Sequence, residues 1–212
     1  MSLDRYRHIV VEGPIGVGKT SFARRLAERL DAELLLEAPQ ENPFLEKFYR
    51  EGSRHALATQ LFFLFQRVEQ LRGLTQFDFF ERHVVCDFLL DKDPLFARLT
   101  LSDDEYALYR NIFDHVKPQA PQPDLVILLQ APTPVLFERI KRRGIAMEQG
   151  ISEDYLERLA ESYSRAFYDY DAAPLLIVNT EALNPVDRES DFDLLLERIA
   201  AMRSRREFFN IA

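Results

Sequence analysis

The stretch His8-Ile9-Val10-Val11-Glu12-Gly13-Pro14-Ile15-Gly16-Val17-Gly18-Lys19-Thr20 decides the fold. Its last eight residues match G-x-x-x-x-G-K-[ST] in full. A strand-like run, Ile9-Val10-Val11-Glu12, precedes them and a helical pattern from Ser21 to Leu30 follows, which is the context a phosphate-binding loop needs. Glycines let the backbone turn its N–H groups around phosphate oxygens, and the helix N-terminus adds a favourable dipole. Residues Gly13, Pro14, Ile15, Gly16, Val17, Gly18, Lys19 and Thr20 are therefore the expected nucleoside triphosphate loop. Lys19 neutralises the outer phosphates, and the Thr20 hydroxyl is the expected ligand of Mg²⁺.

Outward from that loop, short β-type runs alternate with longer helical patterns. The expected strands are His8 to Glu12, Glu33 to Leu36, His83 to Asp87, Leu125 to Gln130 and Leu175 to Asn179. Their Val, Ile and Leu residues are consecutive rather than alternating, as in strands covered on both faces. Together they predict an α/β fold with a five-stranded parallel sheet flanked by helices. Expected helices run from Phe44 to Arg50, through Leu57, Leu61, Leu64, Val68 and Leu71, and over Ser102 to His115, Pro134 to Arg142 and Ser152 to Asp171. Gly52-Ser53 marks a break, with Ser53 a candidate N-cap. Pro118, Pro121 and Pro123 read as a stiff connection, and the two aromatics of the tail, Phe208 and Phe209, are expected to pack on the core. At 212 residues the chain supports one core, so a single domain over 1–212 is expected.

A formal net charge of -8 argues against a nucleic-acid partner, since a phosphate backbone is held chiefly by clustered Lys and Arg. A small anion remains compatible, because backbone N–H nests do not need a basic protein. The one cysteine, Cys86, excludes an intrachain disulfide framework and, within Val84-Val85-Cys86, reads as a small buried hydrophobe. The longest greasy run, Leu61 to Phe65, is bounded by Gln60 and Gln66 and is far too short to span a bilayer. With no leader-like segment at Met1 to Arg7, a cytoplasmic location without membrane attachment is expected. Phe62, Phe63 and Phe65 give the long helix more apolar faces than one core contact needs, which leaves burial under neighbouring helices and a dimer interface both open.

Glu37 falls at the C-terminal end of the second expected strand, the sheet edge where ligands collect. A carboxylate there can accept or orient a hydroxyl proton. The order of P-loop, Glu37, Asn42-Pro43-Phe44-Leu45, Tyr49, Gln60 and Arg67, followed by Val84-Val85-Cys86-Asp87, resembles the deoxynucleoside kinase family over most of the chain. The resemblance implies that Glu37 is the base for a nucleoside 5′-hydroxyl, that Tyr49 meets the sugar 3′-hydroxyl, that Gln60 pairs with the base, and that Arg67 stands near both the base and the catalytic carboxylate. The spacing agrees: seven residues are two helical turns, so Gln60 and Arg67 share a face, and a glutamine carries the donor and acceptor that a base edge needs. A third motif, Arg139-Ile140-Lys141-Arg142-Arg143-Gly144 followed by Glu148, resembles the family's arginine-bearing lid, here about 139–150. Arg139 and Arg143 share a helix face suited to a transferring phosphoryl group, and by resemblance Glu148 meets the sugar.

The chain departs from the family where an acidic residue is ordinarily followed by Arg-Ser. Here Asp87-Phe88-Leu89 stands at that place and the arginine is missing. Lys92 is a candidate substitute for its charge, Asp93 a candidate for the family's aspartate near the base, and Glu81-Arg82-His83 a disfavoured alternative match. Asp87 is expected to hold Mg²⁺ through water or to help Arg67 fix Glu37. The expected reaction is therefore transfer of the γ-phosphoryl of ATP to a deoxynucleoside 5′-hydroxyl, with purines favoured and a homodimer implied. A nucleoside monophosphate kinase of the thymidylate type and a non-catalytic nucleotide-binding protein are the alternatives.

Overall fold

The structure is a computed structural model that describes residues 3–75, 83–117 and 122–211. Its strands are β1 (His8–Glu12), β2 (Glu33–Leu35), β3 (Val84–Cys86), β4 (Leu125–Gln130), β5 (Leu175–Asn179) and β6 (Arg206–Phe209). They form one sheet in the order β2-β3-β1-β4-β5-β6, and every neighbouring pair is parallel. The sheet thus has six strands where five were expected. The addition is the tail: Arg206–Phe209 pairs with Leu175–Val178 of β5. Only Phe209 of its two aromatics packs on the core, while Phe208 is exposed.

Eight helices are described: α1 (Lys19–Leu30), α2 (Leu45–Glu51), α3 (Ala56–Thr75), α4 (Asp93–Thr100), α5 (Asp103–Val116), α6 (Thr133–Arg143), α7 (Glu153–Tyr168) and α8 (Glu189–Ala201). α4 and α8 were not anticipated. α5 starts on a capping box in which Ser102 and Glu105 satisfy each other's backbone N–H. Ser53 is not an N-cap; it lies in the tight helical turn Gly52–His55 that leads into α3. Residues 118–121 of the proline-rich connection lie outside the described residues.

Alternate residues of the strands feed two cores. Val10, Val126 and Leu128 face α3, α4, α5 and α7, meeting Leu64, Tyr109, Leu159 and Tyr163. Ile9, Val11, Ile127 and Leu129 face α1 and α8, meeting Phe22, Leu26, Phe192 and Leu195. Burial on both sides explains the consecutive apolar runs of β1 and β4. It also leaves the C-terminal ends of β1, β2 and β3 side by side, so Gly13, Glu37 and Asp87 emerge at one edge. Among the described residues no helix is long and apolar enough to cross a membrane.

Candidate active site

The phosphate loop leaves β1 at Gly13, whose φ of 146° is open only to glycine, and a Cβ there would lie 2.4 Å from the Leu129 carbonyl oxygen. Gly16 and Gly18 also take positive φ, and Lys19 and Thr20 open α1. Burial, and next the neighbouring Lys92, push the Lys19 ammonium below its usual range, while Glu37, Glu12 and Asp87 oppose the shift.

Asp87, one residue past β3, ties the two halves of the site together. One carboxylate oxygen accepts the Thr20 hydroxyl at 2.5 Å and the other accepts the Glu37 backbone N–H at 2.8 Å. Asp87 therefore holds the main chain of Glu37, while Arg67 holds its side chain. Arg67, on α3, binds the Glu37 side chain: its Nε donates to Oε1 at 2.7 Å and a terminal nitrogen pairs with the same oxygen. Lys92 Nζ lies 3.0 Å from that Oε1 as well. Burial alone would raise the Glu37 carboxyl, but Arg67 and Lys92, helped by Lys19, hold it well below the usual carboxylate range.

The second arm of Arg67 reaches Asp93 Oδ1 at 2.5 Å. Asp93 is fully buried at the start of α4, and its Oδ2 has no hydrogen-bond partner among the described residues. Gln60, one face along α3 from Arg67, is buried and donates to Thr100 Oγ1 at 3.2 Å. It is thus not a solvated helix residue. Phe63 is neither wholly core nor exposed: its ring lies 5.2 Å from the Arg67 guanidinium and lines the cavity.

Glu37, Lys19, Thr20, Tyr49, Arg143 and Glu148 line one cavity. The turn Ala146–Gly150 closes it by resting on α2; a Cβ on Gly150 would sit 2.9 Å from the Tyr49 carbonyl oxygen. Glu148 accepts from Arg143 at 2.5 to 3.1 Å. The two lid arginines part company. Arg143 lines both the cavity holding Glu37 and a second groove with Gly18, Arg142 and Val186, whereas Arg139 lines the second groove, not the Glu37 cavity, and donates to the Thr180 hydroxyl at 3.0 Å and to its carbonyl. Arg82, the alternative arginine, lies outside the described residues.

One residue escaped sequence reading altogether. Glu12, fully buried at the end of β1, accepts the N–H of Gly13 at 3.0 Å and of Leu89 at 2.7 Å, the Tyr163 hydroxyl at 3.1 Å, and Lys92 Nζ at 3.0 Å. The available signal was a carboxylate closing an otherwise apolar, two-sided strand, which has to find partners.

A loop for phosphates facing an ionised, doubly paired carboxylate is the geometry of phosphoryl transfer to a hydroxyl. Comparison with known proteins agrees. The family described as Deoxynucleoside kinase matches residues 9–203. Deoxyguanosine kinase of Bacillus subtilis (strain 168) is 33% identical over 199 residues, covering 91% of this chain and 94% of that one. Deoxyadenosine/deoxycytidine kinase of the same strain is 29% identical, covering 92% of each. A solved structure of deoxyadenosine kinase from M. mycoides superposes with a TM-score of 0.80 at 25% identity, covering 92% of this chain and 99% of that one. Over residues 9–203, from β1 through α8, the chain belongs to the deoxynucleoside kinase family.

Proposed function

We propose that the chain transfers the γ-phosphoryl of ATP to the 5′-hydroxyl of a purine deoxynucleoside. The observation that carries this reading is the placement of Glu37, held ionised by Arg67 and Lys92 in the cavity that also holds Lys19 and Thr20 of the phosphate loop. Both bonded cations fall on Oε1, so Oε2 is the oxygen offered to the incoming hydroxyl. A carboxylate held this far below its ordinary range is a weak proton acceptor before transfer, so Glu37 acts first by orienting the hydroxyl and takes its proton as the phosphoryl bond forms. That order suits a loose transition state, in which positioning and charge stabilisation dominate.

Tyr49 and Glu148 face Glu37 across the cavity and bind the sugar; Gln60, with Arg67 and Asp93 behind it, meets the base. Arg143 leaves Glu148 to meet the transferring phosphoryl, while Arg139 and the groove beside Gly18 hold the donor nucleotide. The Thr20 hydroxyl and the Asp87 carboxylate are the hard oxygen donors that would hold Mg²⁺. When bound, the ion neutralises charge on the β- and γ-phosphates. The names of the similar kinases support a purine acceptor. Half-exposed Phe65 on α3 and Leu108 on the neighbouring α5 support a homodimer, which a mass measurement in solution tests.

Product formation with Mg-ATP and each of the four deoxynucleosides, with the four deoxynucleoside monophosphates in parallel, tests the proposal. Monophosphate formed fastest from a purine deoxynucleoside is the expected result. Diphosphate formed only from monophosphates, or no product at all, overturns it.

A further inference from the structure

We infer that Lys92 is the second positioning cation of the acceptor site and that Glu12 is the mount that holds it there. The inference rests on the phosphoryl-transfer reading above; it gives Lys92, the candidate substitute for the missing arginine, a specific geometric role and adds Glu12, which no motif marks. Phe88 follows Asp87, yet it is 2% exposed and packed in the core, so that position delivers no charge to the site. The charge comes instead from the tight turn Leu90–Lys92, which turns the Lys92 side chain back to the same edge of the sheet. Its Nζ stands between two carboxylates, 3.0 Å from Glu12 Oε1 and 3.0 Å from Glu37 Oε1. Burial works against the ammonium, but Glu12 and Glu37 more than offset it and keep Lys92 charged.

Glu12 makes this a relay rather than a local pair. Its other contacts are the backbone N–H groups of Gly13, just after β1, and of Leu89, three residues after β3, and the hydroxyl of Tyr163 on α7. The path Gly13, Glu12, Lys92, Glu37 joins the phosphate loop to the acceptor carboxylate through two buried side chains. Its effect on Glu37 is geometric. An arginine fork prefers to grip a carboxylate by both oxygens. With Lys92 on Oε1, Arg67 also sits on Oε1, and Oε2 stays open to the hydroxyl. Without Lys92, Arg67 is free to take both oxygens and withdraw the one that the reaction uses.

The test is steady-state kinetics with Mg-ATP and the deoxynucleoside best used by the wild type, on Lys92→Met, Glu37→Gln and the double variant. Lys92→Met is expected to lower kcat by about 30-fold or more while KM for ATP stays within about twofold, a loss confined to the reacting end of the site. In the Glu37→Gln background the same substitution is expected to cost less than about threefold, because the carboxylate it positions is gone. Should Lys92→Met fail to fold, Glu12→Gln with Lys92→Met removes both charges of the pair together, and the same comparison is made with and without Glu37→Gln. An undiminished kcat, or the same fold-loss in both backgrounds, overturns the role of Lys92. A wild type without turnover instead removes the phosphoryl-transfer reading itself, and this inference with it.

Discussion

Arg67→Met tests the buried charge cluster most directly. Arg67 is 4% exposed and spans two carboxylates, Glu37 on one side and fully buried Asp93 on the other. Methionine keeps much of the side-chain volume, so the change removes charge with little cavity cost. Glu37 retains Lys92, but Asp93 loses its one described ion-pair partner and keeps two oxygens without hydrogen bonds. Breaking a buried pair from one side costs about 3–5 kcal/mol. With a urea m-value of about 2 kcal/mol/M, the unfolding midpoint falls by about 1.5–2.5 M. Arg67→Met with Asp93→Asn removes the stranded carboxylate and is expected to recover at least about 1 kcal/mol, the lower range of coupling between touching residues. Urea titration followed by circular dichroism measures all three proteins. A midpoint shift below about 0.5 M for the single variant, or a double variant no more stable than the single one, refutes the reasoning that these charges are desolvated and mutually dependent.

Other expectations are read by kinetics. Gly150→Ala places a Cβ 2.9 Å from the Tyr49 carbonyl oxygen and 3.2 Å from its Cβ, lifting the lid from α2; KM for the nucleoside is expected to rise about 10-fold with KM for ATP unchanged. Arg143→Ala and Arg139→Ala are expected to differ in kind: the first lowers kcat by about 100-fold, as loss of a charge-stabilising donor does, and the second chiefly raises KM for ATP. Equal kcat losses in both would return Arg139 to the phosphoryl site. Because Arg67 and Lys92 hold Glu37 below its ordinary range, its ionised form persists as pH falls past the reference glutamate value of about 4.3 and is lost only lower. The pH profile of kcat/KM is therefore expected to show no acid limb between about pH 5 and 7 belonging to Glu37. A limb there that vanishes in Glu37→Gln contradicts the pairing.

Most of what positions the loop was legible because it is local. G-x-x-x-x-G-K-T is a contiguous instruction, and β1, β4 and β5 ended where the apolar runs of the sequence ended. Gln60 and Arg67 share a face because helical periodicity makes them do so. The elements that were missed depend on distant neighbours. β6 is four residues of mixed character, Arg206-Glu207-Phe208-Phe209, and becomes a strand by completing the hydrogen bonding of β5. α8 follows a polar stretch and carries acidic residues in its first turn, and its Phe192 and Leu195 declare themselves only against α1.

The site divides in the same way. The sequence by itself determined that a phosphate loop sits at the end of a buried strand, that Glu37 and Asp87 stand at the same edge of a parallel sheet, and that an arginine-rich helix end follows. Only the tertiary structure decided which charges meet. Glu12 and Lys92 are separated by most of the first half of the chain, and they touch because β1 lies beside β3 and the turn after β3 folds back over it. Arg139 and Arg143 look equivalent along the helix, yet one is drawn to Thr180 beyond β5 and the other to Glu148 in the lid. A side chain's chemistry is written in its residue type. Its partner is set by strand order, because a buried charge is stable only where the sheet brings its counter-charge within about 3 Å.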